Sequence, residues 1–365
     1  MNPVSPSQIG SYTLLHKIGV GQFSVVHKAH HNDLNKDFAC KILQKANLTS
    51  LFDMKHFEDE LKIQLTCCHP NIVALIDLID DPSFFYVFTE LCESDLQSHI
   101  AKNVRIEENN GKVILKQLLQ ALSYVHSCGF AHRDIKPANI LFDKNGVVKL
   151  CDFGFSVCIE DKHLVNTQCG TIGFNAPEVV SGEKYDGAKA DVWSCGIIFY
   201  TMLVGRPPWN TYISPKTVIS KLADMIYPSF LSQEAISFIK RILRSIPEER
   251  PTIDDMLSDN YLLNTSTPKI QQSTRSHDSF LNVTDIYNII KDKNATQLCL
   301  QGSDLCRRQR YKQKNHNLYQ SINAKTPTLN RTMMTTVLDK KPGQIPKMLL
   351  SPQKKKMPFS LPTFS

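Results

Sequence analysis

Two stretches near the start of this 365-residue chain carry residue types that can handle phosphate. Gly19-Val20-Gly21-Gln22-Phe23-Ser24-Val25-Val26 has the form G-x-G-x-x-S. Glycines there let the backbone approach phosphate oxygens and turn its N–H groups toward them. Two glycines also suit a plain hairpin turn, and strand-like residues on both sides argue against the Rossmann arrangement, in which a helix follows the glycines. Further on, Lys41 stands inside the apolar run Ala39-Cys40-Lys41-Ile42-Leu43. A lysine so placed either carries its ammonium to the surface or has a fixed anionic partner.

The second constellation is His132-Arg133-Asp134-Ile135-Lys136-Pro137-Ala138-Asn139, followed by Asp152-Phe153-Gly154 and then by Ala176-Pro177-Glu178. These are the H-R-D…N, D-F-G and A-P-E elements, in order. Through them the sequence resembles eukaryotic protein kinases across residues 12–263. The fold implied is α+β and bilobal: a small antiparallel β-sheet lobe with one helix (about 12–89), a hinge (90–92), a larger mainly helical lobe (93–263) and a disordered C-terminal tail.

The resemblance also implies transfer of the γ-phosphate of ATP, with Mg²⁺, to Ser or Thr hydroxyls of protein substrates. Such a reaction asks the protein for in-line positioning and for neutralisation of triphosphate charge. Asp134 would accept or orient the substrate hydroxyl proton, and Lys136 would reach the transferring phosphate. Asn139 and Asp152 would ligate Mg²⁺ through hard oxygens. Lys41 would hold the α- and β-phosphates while pairing with a helix carboxylate. Of Asp53, Glu58, Asp59 and Glu60, the last stands at the family spacing before His69-Pro70-Asn71. Ile18, Gly19, Val20, Gly21, Gln22, Phe23 and Ser24 would cover the nucleotide. Val26, Ala39 and Leu141 would sandwich adenine, with Thr89 at the rear and the hinge Glu90 to Cys92 bonding it. For Val26, Ala39 and Leu141 a plain core role fits nearly as well. Asp191 would brace the catalytic loop, and Glu178 would pair with Arg250.

Lys136 gives the loop its Ser/Thr-kinase form, and Phe155 resembles kinases that prefer serine. Tyr227 to Ser232 and Arg250-Pro251-Thr252 resemble the calcium/calmodulin-dependent and AMP-activated-like group, whereas Ala138 stands where basophilic relatives carry glutamate. In the activation segment Thr167 falls where many relatives are phosphorylated by an upstream kinase, the phosphate pairing with Arg133. Gln64, one turn after Glu60, replaces an apolar residue that would pack near Phe153. A pseudokinase or scaffold, binding nucleotide and partners without catalysis, is the alternative. Against it, Lys41, Glu60, Asp134, Asn139 and Asp152 are all present.

These residues need elements to position them. Alternating apolar residues predict strands over 11–45, at Ile72–Ile79 and at Phe84–Glu90. Helical spacing predicts helices at about 53–66 and 112–126, the latter stopped by Gly129, then at Val192–Leu203, Glu234–Leu243 and Ile253–Leu257. Residues 1–263 hold 25 basic and 30 acidic side chains, whereas 264–365 hold 17 basic, 5 acidic and no Glu, which sets a boundary there. Residues 1–11 read as an N-terminal extension, and the tail offers one amphipathic stretch, 279–290. Its Arg307-Arg308-Gln309-Arg310 and Lys354-Lys355-Lys356 suit anionic surfaces or import receptors, and equally a solvated chain. No run is apolar for the roughly 20 residues of a membrane span. Eleven cysteines without a C-x-x-C pair suit an intracellular chain, expected in the cytoplasm, with the nucleus as the further option that the basic runs allow.

Overall fold

The computed structural model describes residues 7–21, 24–48, 51–159, 164–209 and 215–266, and the side chains of 51–53, 55, 215, 216 and 223 are outside that description. The tail, its 279–290 stretch and its basic runs lie outside the described residues, as do Gln22 and Phe23.

A six-stranded antiparallel sheet forms the first lobe, in the order β1-β2-β3-β4-β6-β5. Its strands are β1 (Gln8–Ile9), β2 (Tyr12–Val20), β3 (Ser24–His31), β4 (Lys36–Gln44), β5 (Leu75–Asp80) and β6 (Phe84–Glu90). β1 falls in the expected N-terminal extension, yet it pairs with β2 and buries Ile9. Side chains alternate across a pleated strand, so β6 feeds two cores at once. Phe84, Tyr86 and Phe88 pack with Tyr12, Phe38, Cys40 and Ile42 on one face. On the other face Phe85 and Val87 pack with Leu43, Leu78 and the helix α1 (Leu51–Thr66) through Phe57 and Leu61. Two residues further along α1, Ile63, with Cys67 just past the end of the helix, belongs to the large core of the second lobe. A single helix thus joins both lobes.

The second lobe is built on α3 (Glu108–Ser127) and α5 (Gly187–Val204), preceded by α2 (Leu96–Asn103) and α4 (Pro177–Ser181). α5 is apolar on every side and buried accordingly, as Trp193, Ile197, Ile198 and Phe199 are. It begins five residues before the expected Val192, because the Asp186 carboxylate accepts from the Ala188 and Lys189 N–H groups and caps it. Gly205, at φ +87°, ends it, and an added Cβ would strike the Val104 carbonyl oxygen. α6 (Pro215–Ala223), α7 (Gln233–Ile242), α8 (Ile253–Leu257) and α9 (Asn260–Leu263) complete the lobe. Small sheets lie under the cleft: β7 (Ser94–Asp95) with β9 (Ile140–Phe142) and β10 (Val148–Leu150), and β8 (Phe130–Ala131) with β11 (Val157–Cys158). Among the described residues no helix is long and apolar enough to cross a membrane.

The expected Glu178–Arg250 pair is bidentate, at 2.6 and 2.8 Å, within the helical lobe. The guanidinium also donates to the carbonyls of Arg244 at 2.8 Å and Lys189 at 3.0 Å and lies 4.9 Å from the Trp193 ring. Removing one partner would leave a buried charge uncompensated, at a cost of about 3–5 kcal/mol. Arg250→Ala is expected to lower unfolding stability in urea by that amount, and Glu178→Gln with Arg250→Met to lose much less. A loss below about 1 kcal/mol for Arg250→Ala would contradict this account.

Candidate functional site

The glycine turn closes between β2 and β3, where the Gly21 N–H donates to the Ser24 carbonyl at 2.8 Å. An added Cβ on Gly21 would lie 2.6 Å from the Ser24 hydroxyl, which would have to turn away to admit it. Ser24 itself is buried, whereas Ile18 and Val20 are exposed. Val26, Ala39 and Leu141 are each half-buried beside fully buried neighbours such as Cys40 and Phe142. That partial exposure separates them from the fully buried core. Thr89 pairs with Ala39 across the sheet at the same level.

Lys41 has its anionic partner: its ammonium donates to Glu60 Oε1 at 2.6 Å. Burial alone would push the lysine pKa down, but the carboxylates of Glu60 and Asp152 outweigh it and hold the pKa above the usual range. Glu58 faces elsewhere, and burial, then the charge of Asp59, raises its carboxyl. At the hinge, the Glu90 carboxylate is engaged by Lys149 at 2.8 Å and by the Ala74 N–H at 2.7 Å. Among the described residues the Cys92 N–H reaches no backbone carbonyl. Burial and then Glu90 push the Cys92 thiol up to about 12. The Cys151 thiol is likewise raised, by burial and then Asp152, and donates to the Asn139 carbonyl at 3.4 Å. Neither thiol is poised as a nucleophile.

The catalytic-loop residues converge on one carboxylate. Asp134 Oδ2 accepts from Lys136 Nζ at 2.7 Å and Asn139 Nδ2 at 3.2 Å, and Oδ1 accepts from the Thr171 hydroxyl at 2.8 Å. Asn139 Nδ2 also donates to the Asp134 carbonyl at 2.9 Å, which leaves its Oδ1 free of hydrogen bonds among the described residues. The Asp152 carboxylate accepts no hydrogen bond from the described residues either. These three oxygens are the donor type that Mg²⁺ selects.

Arg133 and Asp152 both hold positive φ, at 65° and 64°. Non-glycine residues adopt this region at a cost that surrounding bonds must meet. Asp191, fully buried on α5, accepts the His132 N–H at Oδ2 and the Arg133 N–H at Oδ1, both at 2.8 Å. His126 Nε2 donates to the same carboxylate at 2.9 Å, a partner that sequence reasoning missed. Burial pushes the Asp191 pKa up, but the His126 hydrogen bond, the charges of His126 and His132 and the His132 N–H hold it below the ordinary range. Phe153 is buried against the His132 ring, 5.0 Å between centroids.

The Arg133 side chain reaches the activation segment, donating from Nε to the Phe155 carbonyl at 2.7 Å and from Nη1 to the Thr167 hydroxyl at 2.9 Å. Tyr185, also unforeseen, accepts from Arg133 Nη1 at 3.1 Å and donates to the Thr167 carbonyl at 2.9 Å. Gln64 is buried, and its carboxamide makes no hydrogen bond among the described residues.

Residues 12–262 match the family model described as the protein kinase domain. The chain is similar to SNF1-like protein kinase ssp2 of Schizosaccharomyces pombe, 34% identical over 258 residues that cover 70% of this chain and 45% of that protein. CBL-interacting serine/threonine-protein kinase 8 of Arabidopsis thaliana is 33% identical over 289 residues, 78% of this chain and 64% of that one. Sperm motility kinase 2B of Mus musculus is 35% identical over 248 residues, 67% of this chain and 50% of that one. The chain spans less than two thirds of the length of each of these relatives.

A carboxylate whose folded-state pKa is depressed adds stability above its unfolded value, about 3.9, and loses it as pH falls through the folded value. Asp191→Asn is therefore expected to cost about 1.5–3 kcal/mol at neutral pH. The gap from wild type should close as pH drops below about 4. Urea midpoints measured across that range check the sign, and a gap of constant size would contradict it.

Proposed function

The chain belongs to the protein kinase family, and from that premise we propose that it is a serine/threonine kinase that moves the γ-phosphate of ATP, with Mg²⁺, onto protein hydroxyls in intracellular signalling. The observation that carries this reading is the assembly of every charged group the reaction needs. The Lys41–Glu60 pair is closed, the Asp134 carboxylate is oriented by three donors, and among the described residues the carboxylate of Asp152 and the side-chain oxygen of Asn139 accept no hydrogen bond. A chain that only bound nucleotide would have no use for an oriented Asp134.

In this reading Lys41, fixed by Glu60, holds the α- and β-phosphates while the glycine turn covers them with backbone N–H groups. Val26, Ala39 and Leu141 grip the adenine, and the Cys92 N–H, without a backbone acceptor among the described residues, is the hinge donor. Asn139 Oδ1 and the Asp152 carboxylate would hold Mg²⁺, which when bound supplies positive charge against the triphosphate. Asp134 has its lone pairs directed by Lys136 and Thr171, so it orients the acceptor hydroxyl and takes its proton as the new bond forms. Lys136, already beside Asp134, is placed to follow the transferring phosphate's charge. The expected outcome is ³²P transfer to a generic serine peptide by wild type, reduced roughly 10²–10⁴-fold in Asp134→Asn. Asp152→Ala should lose activity as well. Transfer that survives Asp134→Asn would overturn this reading, and none by phosphorylated wild type would favour the nucleotide-binding scaffold.

Regulation follows from Thr167 and Gln64. A phosphate on Thr167 would give Arg133 a charged partner in place of a hydroxyl and, through the Phe155 carbonyl, stiffen the segment after Gly154. Gln64 puts a carboxamide on α1 where an apolar side chain would add burial, so α1 gains less from docking and the Lys41–Glu60 arrangement is weaker in the unphosphorylated chain. Gln64→Leu is expected to raise basal activity of unphosphorylated protein roughly 5- to 30-fold, while Thr167→Ala abolishes activation by an upstream kinase. Phosphopeptide mapping with initial rates decides both; equal basal rates for Gln64→Leu and wild type would remove the first idea.

A further inference from the structure

The chain from Cys169 to Asn175 turns back on itself beside the catalytic loop. Within the turn Gly170 and Gly173 hold φ at +86° and +99°, and the Phe174 N–H donates to the Thr171 carbonyl at 3.1 Å. Glycines reach such angles without strain but supply no side chain to keep them there. Thr171 stands between the two. Its hydroxyl donates to Asp134 Oδ1 at 2.8 Å and accepts from Lys136 Nζ at 3.1 Å. A threonine flanked by permissive backbone thus bridges both side chains to which the proton and phosphate steps are assigned.

The two ends of this turn are fixed unequally. At its far end the Phe174 carbonyl accepts from the Ser194 hydroxyl of α5 at 2.9 Å, and the buried Ala176 opens α4. At its near end Asn175 Nδ2 donates to the Cys169 carbonyl at 2.8 Å and closes the neck. Asn175 Oδ1 and the Arg133 carbonyl both lie within 2.6 Å of where a Gly170 Cβ would be, so the closed neck rests against the catalytic loop. Asp191, three residues before Ser194 on α5, holds the His132 and Arg133 N–H groups. One helix therefore anchors Asp134 directly and reaches Thr171 only by way of the Asn175 clamp.

We propose that Asn175 is a positioning residue for phosphotransfer: by clamping the Cys169 carbonyl it holds Thr171 where it bridges Asp134 and Lys136. This role rests on the kinase reading of the chain. Asn175 acts through Thr171 and not on the nucleotide, so its loss is felt in the rate of transfer. A misplacement of about 1 Å near reacting groups costs roughly 10²-fold in rate, and a loosened Thr171 is a smaller disturbance of the same kind.

Initial rates of the phosphorylated full chain on a serine peptide, over a range of Mg-ATP, test the role. Asn175→Ala is expected to lower kcat roughly tenfold and to leave the KM for ATP within about twofold of wild type. Asn175→Asp keeps the side chain's size but turns an acceptor toward the Cys169 carbonyl, so it should lose at least as much. It reads the hydrogen bond even where the alanine variant folds poorly. In a Thr171→Ala background, Asn175→Ala should cost no further activity, because the residue it acts through is gone. A kcat for Asn175→Asp equal to that of wild type, a loss confined to the KM for ATP, or losses that multiply in the double variant would each overturn the role of Asn175 alone. No transfer by wild type overturns the kinase reading and this role with it.

Discussion

Everything near the reacting groups depends on one carboxylate sealed from water. Asp191 has no exposed surface, and its charge is tolerable because two backbone N–H groups and the His126 ring surround it. Those same N–H groups belong to His132 and Arg133, so the bonds that stabilise the charge also hold Arg133 at positive φ. With the loop fixed there, Asp134 points into the cleft, the His132 ring supports Phe153, and Arg133 reaches Thr167. A long, mostly apolar helix is what allows the carboxylate to be so deep: α5 is buried on every side, and its Asp191 is a fixed point for a loop that has little regular structure of its own.

The groups to which the kinase reading assigns chemistry were legible in the sequence because chemistry ties residue types to spacing. Asp134, Asn139 and Asp152 could be found without any structure, and so could the lysine in an apolar strand that demands a partner. The positioning groups were not. Tyr185 and His126 carry no spacing rule of their own, since each meets its partner only after chain segments far apart have packed. Gln117, on α3, accepts from Asn71 at 3.2 Å and the Val148 N–H at 3.1 Å, a buried polar junction that helical periodicity cannot announce. The short strands β7, β9 and β10 were missed for another reason: two or three residues are too few for an alternation to show. Helix starts were late where the first turn is polar. α3 begins at Glu108, capped by the Glu107 carboxylate, ahead of the apolar face that begins at Ile114.

α1 has a different role from the other helices. Phe57 and Leu61 bind it to the sheet, Ile63 and Cys67 bind it to the helical lobe, and Glu60 and Gln64 lie on its cleft side. Its apolar residues are divided between two cores, so neither holds it alone. Helices of that kind respond to small changes at either end, because the energy of docking is a difference between two modest terms. A closed Lys41–Glu60 pair one turn before a glutamine, where an apolar residue would add burial, is the visible form of that balance.

The Glu178–Arg250 pair also sets an order in time. Its partners lie 72 residues apart in the chain. A ribosome adding about 5–20 residues per second therefore takes roughly 4–14 s to supply Arg250 after Glu178 has been made. During that interval the end of the activation segment has no guanidinium to fold onto, and the arginine's contacts with the carbonyls of Lys189 and Arg244 do not exist. The segment next to the site is completed only when the last helices of the lobe are synthesised, so α5 and the core around it are made before the end of the activation segment has its partner.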